Sequence, residues 1–168
     1  DAGYYSLGTL VSDIPATSQT PCAAGTYQAS TGQSSCDDTD EGYYSPGTET
    51  NPSANGGYSN ATSQVPCAAG TYQDQTGQAS CDAASTGAYS PGTVGGANVD
   101  SSVTSIASSD TPCPAGTYSA QDITLATGLS GAASCTDAAV GYYSEGTYWL
   151  NSNIVIADQQ VACPAGTY

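Results

Sequence analysis

The chain has 168 residues, fifteen of them Asp or Glu and none Lys, Arg or His, for a formal net charge of −15. A surface of that sign repels phosphate backbones and anionic headgroups, which excludes nucleic acid as a partner and adhesion to lipid through a basic patch. Only 38% of the residues are apolar, Phe and Met are absent and there is one Trp, too little bulk for one large globular core.

The chain opens with Asp1 to Thr9 (DAGYYSLGT), which matches the second half of a unit met in full further on. Leu10 to Thr20 joins it to the first complete copy; Leu10, Val11 and Ile14 suit either a short strand, which Pro15 limits, or an apolar plug over the next module. Pro21 to Thr48 is that copy, PCAAGTYQASTGQSSCDDTDEGYYSPGT, and Pro66 to Thr93 repeats it as PCAAGTYQDQTGQASCDAASTGAYSPGT. Between them, Glu49 to Val65 is a Gly/Asn/Ser-rich loop carrying Asn60-Ala61-Thr62, the one permitted N-glycosylation sequon, since Asn51 is followed by Pro52. Val94 to Thr111 is a second loop, with serines open to O-glycans and with Val99, Val103 and Ile106 as strand candidates. A third copy runs from Pro112 to Thr147 with an insertion, Ala120 to Gly131, in which Ile123, Thr124 and Leu125 read as a β-bearing extension. The most hydrophobic stretch follows, with Trp149, Leu150, Ile154 and Ile156 as a candidate contact surface on an otherwise polar chain; local packing is the alternative. A fourth copy begins at Cys163.

The organisation is therefore a tandem array. We divide it into a partial repeat with its linker (1–20), repeat 1 (21–65), repeat 2 (66–111), repeat 3 with its insertion (112–161) and the start of repeat 4 (162–168). Because the chain opens and closes inside copies, a segment of a longer array is expected. No apolar run reaches the length of a transmembrane helix, so no direct membrane insertion is expected of this segment.

Each unit has two halves built on the same Gly-x-Tyr core. A glycine recurring in register before an aromatic predicts turns with positive φ at Gly42, Gly87 and Gly141. The tyrosines Tyr27, Tyr44, Tyr72, Tyr89, Tyr118 and Tyr143 would either stack as a spine along the array or pack under their own loops. With no 3.6-residue apolar period, the predicted fold class is small, disulfide-rich and mainly β or irregular: an elongated rod with strands of two to four residues, many turns and little or no helix.

The seven cysteines point to an oxidising, extracellular or cell-surface setting, where disulfides stabilise modules with little core. Neighbour pairing is the simplest expectation, Cys22–Cys36, Cys67–Cys81 and Cys113–Cys135, although spacing alone does not establish connectivity. Cys163 then needs a partner beyond Tyr168 or in another molecule. Zinc is disfavoured, because there is no Cys-x2-Cys pair and no histidine.

The stretch Cys113 to Ser119, CPAGTYS, resembles the cysteine-rich repeats of ephrin-receptor-like ectodomains, relatives of the tumour-necrosis-factor-receptor and EGF-like modules. Thr31 to Cys36, TGQSSC, is similar to the loop that closes such a half-unit. The resemblance implies non-catalytic, disulfide-laddered rods of the kind used in receptors, adhesins and surface fibres. It also implies a second cysteine pair in the Gly-Tyr-Tyr-Ser half. Here Asp37, Asp38, Thr39, Asp40 and Glu41 stand where one of those cysteines belongs. Packing, lateral contacts, glycans or bound calcium must rigidify those halves instead.

Asp37, Asp38, Asp40 and Glu41 are the one candidate calcium site, with a solvated acidic turn as the alternative, since repeat 2 keeps only Asp82 and repeat 3 only Asp137. No catalytic residues are assigned: without His or Lys, no Ser-His-Asp or Cys-His set can be assembled. The functional expectation is a non-catalytic extracellular structural protein, self-associating as part of a surface fibre or filament. The stalk of an adhesin or receptor-like ectodomain, and a calcium-dependent matrix protein, are the alternatives.

Overall fold

The computed structural model describes residues 1–7, 18–48, 60–93, 106–119, 131–150 and 153–166. The strand expectations at Leu10, Val11, Ile14, Val99, Val103, Ile123, Thr124 and Leu125 lie outside these residues, as do the side chains of Trp149, Leu150 and Ile154. Ile106 is described and belongs to no strand; its side chain is exposed and its backbone leads into buried Ala107. Among the described residues there is no helix, and every strand is two or three residues long.

Each half-unit is one small antiparallel hairpin, and the chain falls into two compact units. The first comprises residues 1–66 and 73–81. In it β1 (Tyr4–Tyr5) pairs with β2 (Thr20–Pro21), β3 (Thr26–Tyr27) with β4 (Asp37–Asp38), and β5 (Tyr43–Tyr44) with β6 (Val65–Pro66). The second comprises residues 67–72 and 82–168. There β7 (Thr71–Tyr72) pairs with β8 (Asp82–Ala83), β9 (Ala88–Tyr89) with β10 (Thr111–Pro112), β11 (Thr117–Tyr118) with β12 (Thr136–Asp137), and β13 (Tyr142–Tyr143) with β16 (Val161–Ala162). One further hairpin, β14 (Tyr148–Leu150) with β15 (Asn153–Val155), belongs to repeat 3 and sets Trp149 opposite Ile154 in the backbone register.

A single turn launches every half-unit. The Tyr43 N–H donates to the Asp40 carbonyl at 3.1 Å across Gly42, whose φ is +78°. Gly87 and Gly141, at +76° and +86°, do the same for Ala88 and Tyr142. A β-turn whose third residue has positive φ is the type II form, and glycine reaches it without strain.

Among the described residues the interior holds one large apolar side chain, the ring of Tyr43, and otherwise small ones. Its fully buried residues are Cys22, Cys67, Cys113, Thr39, Ser45 and Ser90, joined by Ala61, Ala84, Ala107 and Ala157. These small residues let hairpins approach until their backbones bond to one another. In the first unit the Gly25 N–H donates to the Ser45 carbonyl (2.8 Å), Thr39 to Gly25 (3.0 Å) and Thr48 to Cys22 (2.8 Å). In the second unit the pattern recurs as Gly70 to Ser90 (2.8 Å), Ala84 to Gly70 (2.9 Å) and Thr93 to Cys67 (2.9 Å). It recurs once more as Gly116 to Ser144, Ala138 to Gly116 and Thr147 to Cys113, each 2.8 Å.

Candidate functional site

Disulfides close the first half-units. Cys22–Cys36 and Cys113–Cys135 span 14 and 22 residues of sequence, with Cα atoms 5.8 and 5.7 Å apart. Cys67 and Cys81 are disulfide-bonded as well. Cys163 is a free, half-buried thiol.

A threonine takes over where the second half-units lack a staple. The Thr48 hydroxyl donates to the Gly3 carbonyl at 2.7 Å and accepts the Ala61 N–H at 3.0 Å. The Ala61 carbonyl then accepts the Gln28 N–H at 2.7 Å. In the second unit Thr147 donates to Gly87 (2.7 Å) and accepts from Ala157 (2.8 Å), whose carbonyl takes the Ser119 N–H (2.8 Å). The Thr93 hydroxyl accepts the Ala107 N–H at 3.0 Å. One hydroxyl thus satisfies two backbone groups buried away from water, a service that no apolar residue of that size can supply.

A second device lies three residues before each cysteine of a first half-unit. There Gln19, Gln64, Asp110 and Gln160 reach back to the turn of the half-unit before. The Gln64 Oε1 accepts the Asp40 N–H (2.7 Å) while its Nε2 donates to the Asp40 carboxylate (2.8 Å). Asp110 accepts from Ser85 (2.7 Å), Gln160 from Ala139 (2.6 Å) and Gln19 from the amino group of Asp1 (2.9 Å). Reading these stretches as linkers missed both the buried alanines and the capping amides. The signal was present: Ala61, Ala107 and Ala157 stand six residues before Cys67, Cys113 and Cys163.

Buried glutamines close the tight loops of repeats 1 and 2. Gln28 Nε2 donates to the Ser35 carbonyl (3.0 Å) and its Oε1 accepts the Ser30 N–H (2.9 Å). Gln73 does the same with Ser80 and Gln75 at 3.0 and 3.1 Å. Repeat 3 carries Ser119 at that position, ahead of its insertion, and among the described residues the buried Ser119 Oγ finds no hydrogen-bond partner.

The proposed calcium ligands do not converge. Asp37 and Asp38 are consecutive in β4, so they leave opposite faces of the hairpin. Asp40 is engaged by Gln64, and Glu41 is exposed. Among the described residues no group of three or more His, Cys, Asp or Glu side chains could hold a metal ion. In repeats 2 and 3, Asp82 sits opposite Tyr72 and Asp137 opposite Thr117, both exposed. The nearby Tyr27 phenol is pushed above its ordinary value by burial first, then by Asp40 and Asp37.

Asn60 and Thr62 of the sequon are exposed, while Ala61 between them is buried and bonded through both its backbone groups. Ile156, in the candidate contact stretch, is 42% exposed. It lines a cleft of about 170 Å³ in repeat 3 together with Tyr143, Glu145, Val155, Asp158 and Val161. The Tyr148 hydroxyl donates to Glu145 Oε2 at 3.1 Å, and this bond raises the Tyr148 pKa. No helix among the described residues is long and apolar enough to cross a membrane. Compared with the sequence models of known protein families the chain matches none, and no curated protein shows significant similarity to it.

Proposed function

We propose that this chain is a non-catalytic extracellular structural protein, a tandem-repeat segment of a surface fibre or filament. One observation carries the reading: the same set of backbone bonds joins each first half-unit to the second half-unit that follows, in all three copies. Such joints let an array grow by copies without altering those already in place, the quasi-one-dimensional logic of repeat proteins. The disulfides fit an oxidising compartment. The likeness of CPAGTYS to ephrin-receptor-like repeats supports the same conclusion. The turns present carboxylates with no His or Lys to act as a base, so the reading is of a material and not a catalyst.

Electron cryo-microscopy of unreduced material, paired with small-angle scattering before and after reduction, tests this. Filaments with a repeating subunit, losing order in reductant, are the expected result. Isolated flexible rods would assign the chain to a stalk. A compact particle indifferent to reductant would overturn both.

A further inference from the structure

The sequon ahead of repeat 2 sets two exchangeable residues around one that the fold keeps. Asn60 is matched by Ile106 and Ile156 in the later copies, and Thr62 by Ser108 and Asp158, while the alanine between them recurs as Ala107 and Ala157. The alanine is the structural residue. Ala61, Ala107 and Ala157 are buried, and a threonine hydroxyl accepts each of their N–H groups. Asn60 and Thr62 are exposed. The position stays open within the array as well, since Ile106 is 53% exposed with repeat 1 before it in the chain and repeat 3 after it.

We infer that Asn60 carries an N-linked glycan, attached before this part of the chain folds. In the transfer, the Asn60 Nδ2 attacks the anomeric carbon of a sugar held on a lipid diphosphate. A carbon–nitrogen bond forms, the bond from that carbon to the phosphate oxygen breaks, and the lipid diphosphate leaves with the electron pair. The proton lost from Nδ2 passes to the medium. A transferase must hold the Asn60 amide and the Thr62 hydroxyl together, and so needs the backbone between them. Folding closes that backbone. The Ala61 N–H donates to the Thr48 Oγ at 3.0 Å, its carbonyl accepts the Gln28 N–H at 2.7 Å, and the Thr62 N–H closes a three-residue turn on the Asn60 carbonyl at 2.7 Å. The folded chain is thus a poor acceptor, yet a glycan already in place extends into water and displaces none of these bonds. It is a bulky, solvated group, and it belongs to this copy alone, because Ile106 and Ile156 have no amide to modify. The inference rests on the extracellular reading, since lipid-linked donors serve secreted chains, and not on filament formation.

Two measurements test it. The first maps the full chain from its own cells, unreduced and cut with chymotrypsin, there being no Lys or Arg for trypsin. The peptide bearing Asn60 should appear only after release by peptide N-glycosidase in heavy-oxygen water, with a labelled aspartate at that position. Unmodified Asn60 beside an intact Cys22–Cys36 bond would overturn the glycan and leave the extracellular reading standing. Unmodified Asn60 with reduced cysteines would overturn both. The second offers the full chain, produced without glycans, to a purified oligosaccharyltransferase with dolichyl-diphosphate-linked chitobiose. The reduced, unfolded chain should be modified at Asn60; Thr62→Ser should remain an acceptor and Thr62→Ala should not. The oxidised, folded chain should react about tenfold more slowly or less, at a rate set by how rarely the turn opens, and Thr48→Val should recover part of that loss. Equal rates for folded and unfolded chain would overturn the stated order of events, and an unfolded chain left unmodified would overturn the site itself.

Discussion

Replacing Thr48 by Val keeps the size of the side chain and deletes the hydroxyl that joins Gly3 to Ala61. The two bonded groups then fare differently. The Gly3 carbonyl still accepts the Cys22 N–H at 2.9 Å, so it loses only one of two donors. The Ala61 N–H loses the acceptor it has among the described residues, in a residue that is 2% exposed. Leaving one buried donor unsatisfied costs about 1–3 kcal/mol, and the weakened carbonyl adds about 1 kcal/mol, for roughly 2–4 kcal/mol in total. Thr48→Ser retains the hydroxyl and should cost about 1 kcal/mol, the transfer value of a methyl group. Amide exchange at Ala61 reads this directly, avoiding the assumption that an array unfolds in one step. The rate should rise roughly thirtyfold to a thousandfold in Thr48→Val, following that energy range, and only a few fold in Thr48→Ser. Thr147→Val should do the same at Ala157, because its geometry repeats. Unchanged exchange at both alanines would refute the view that these hydroxyls substitute for absent staples.

Further outcomes follow from the same geometry. Gly47→Ala should destabilise more than Gly32→Ala in urea: both glycines have positive φ, +84° and +75°, but a Cβ at Gly47 meets the Ala24 nitrogen at 2.6 Å while one at Gly32 meets nothing. The open site should cost about 1–2 kcal/mol from backbone handedness alone, and equal costs would show that the two halves do not pack as described. Replacing Cys22 and Cys36 together by Ser should cost about 3 kcal/mol in the chain-entropy account, read as a lowered urea midpoint. Glu145→Gln should lower the pKa of Tyr148 toward its ordinary value, read by phenolate absorbance, because the Glu145 hydrogen bond is the main cause of the rise. The sign is that of an acid stabilised in its protonated form. Any contribution to folding is present below the unfolded phenol's pKa and fades as pH climbs through the raised one. An unmoved titration would show that the bond to Glu145 is not what raises the Tyr148 pKa.

Much of this architecture is written in short motifs. The glycines before each aromatic announce their turns because positive φ is nearly a glycine monopoly, and the lack of a 3.6-residue apolar period already points to short strands and turns in place of helices. The pairings of Cys22 with Cys36 and Cys113 with Cys135 follow from proximity in the chain. The interior was harder to read, since hydrophobic periodicity is the usual guide to burial and this interior is mostly Ser, Thr, Ala and backbone. Gln64, Asp110 and Gln160 do one job with two residue types, because a turn N–H needs only an acceptor oxygen at that reach. That interchange hid the repeat inside apparent linkers. The acidic run carries two readings in sequence, a calcium site or a solvated turn; its fold places Asp37 and Asp38 consecutively in a strand, on opposite faces.

An interior of small polar residues and bonded backbone has a thermal consequence. The heat capacity change of unfolding rises with exposed apolar area and falls with exposed polar area, averaging about 12–15 cal/mol/K per residue in ordinary globular proteins. The described residues release little aliphatic surface and much amide and hydroxyl surface, so their heat-capacity change per residue should fall below that range. Their stability curve is then broad and shallow, without the steep loss on cooling that a hydrocarbon core entails. Parts held together in this way keep a nearly constant margin against unfolding between cold water and warm.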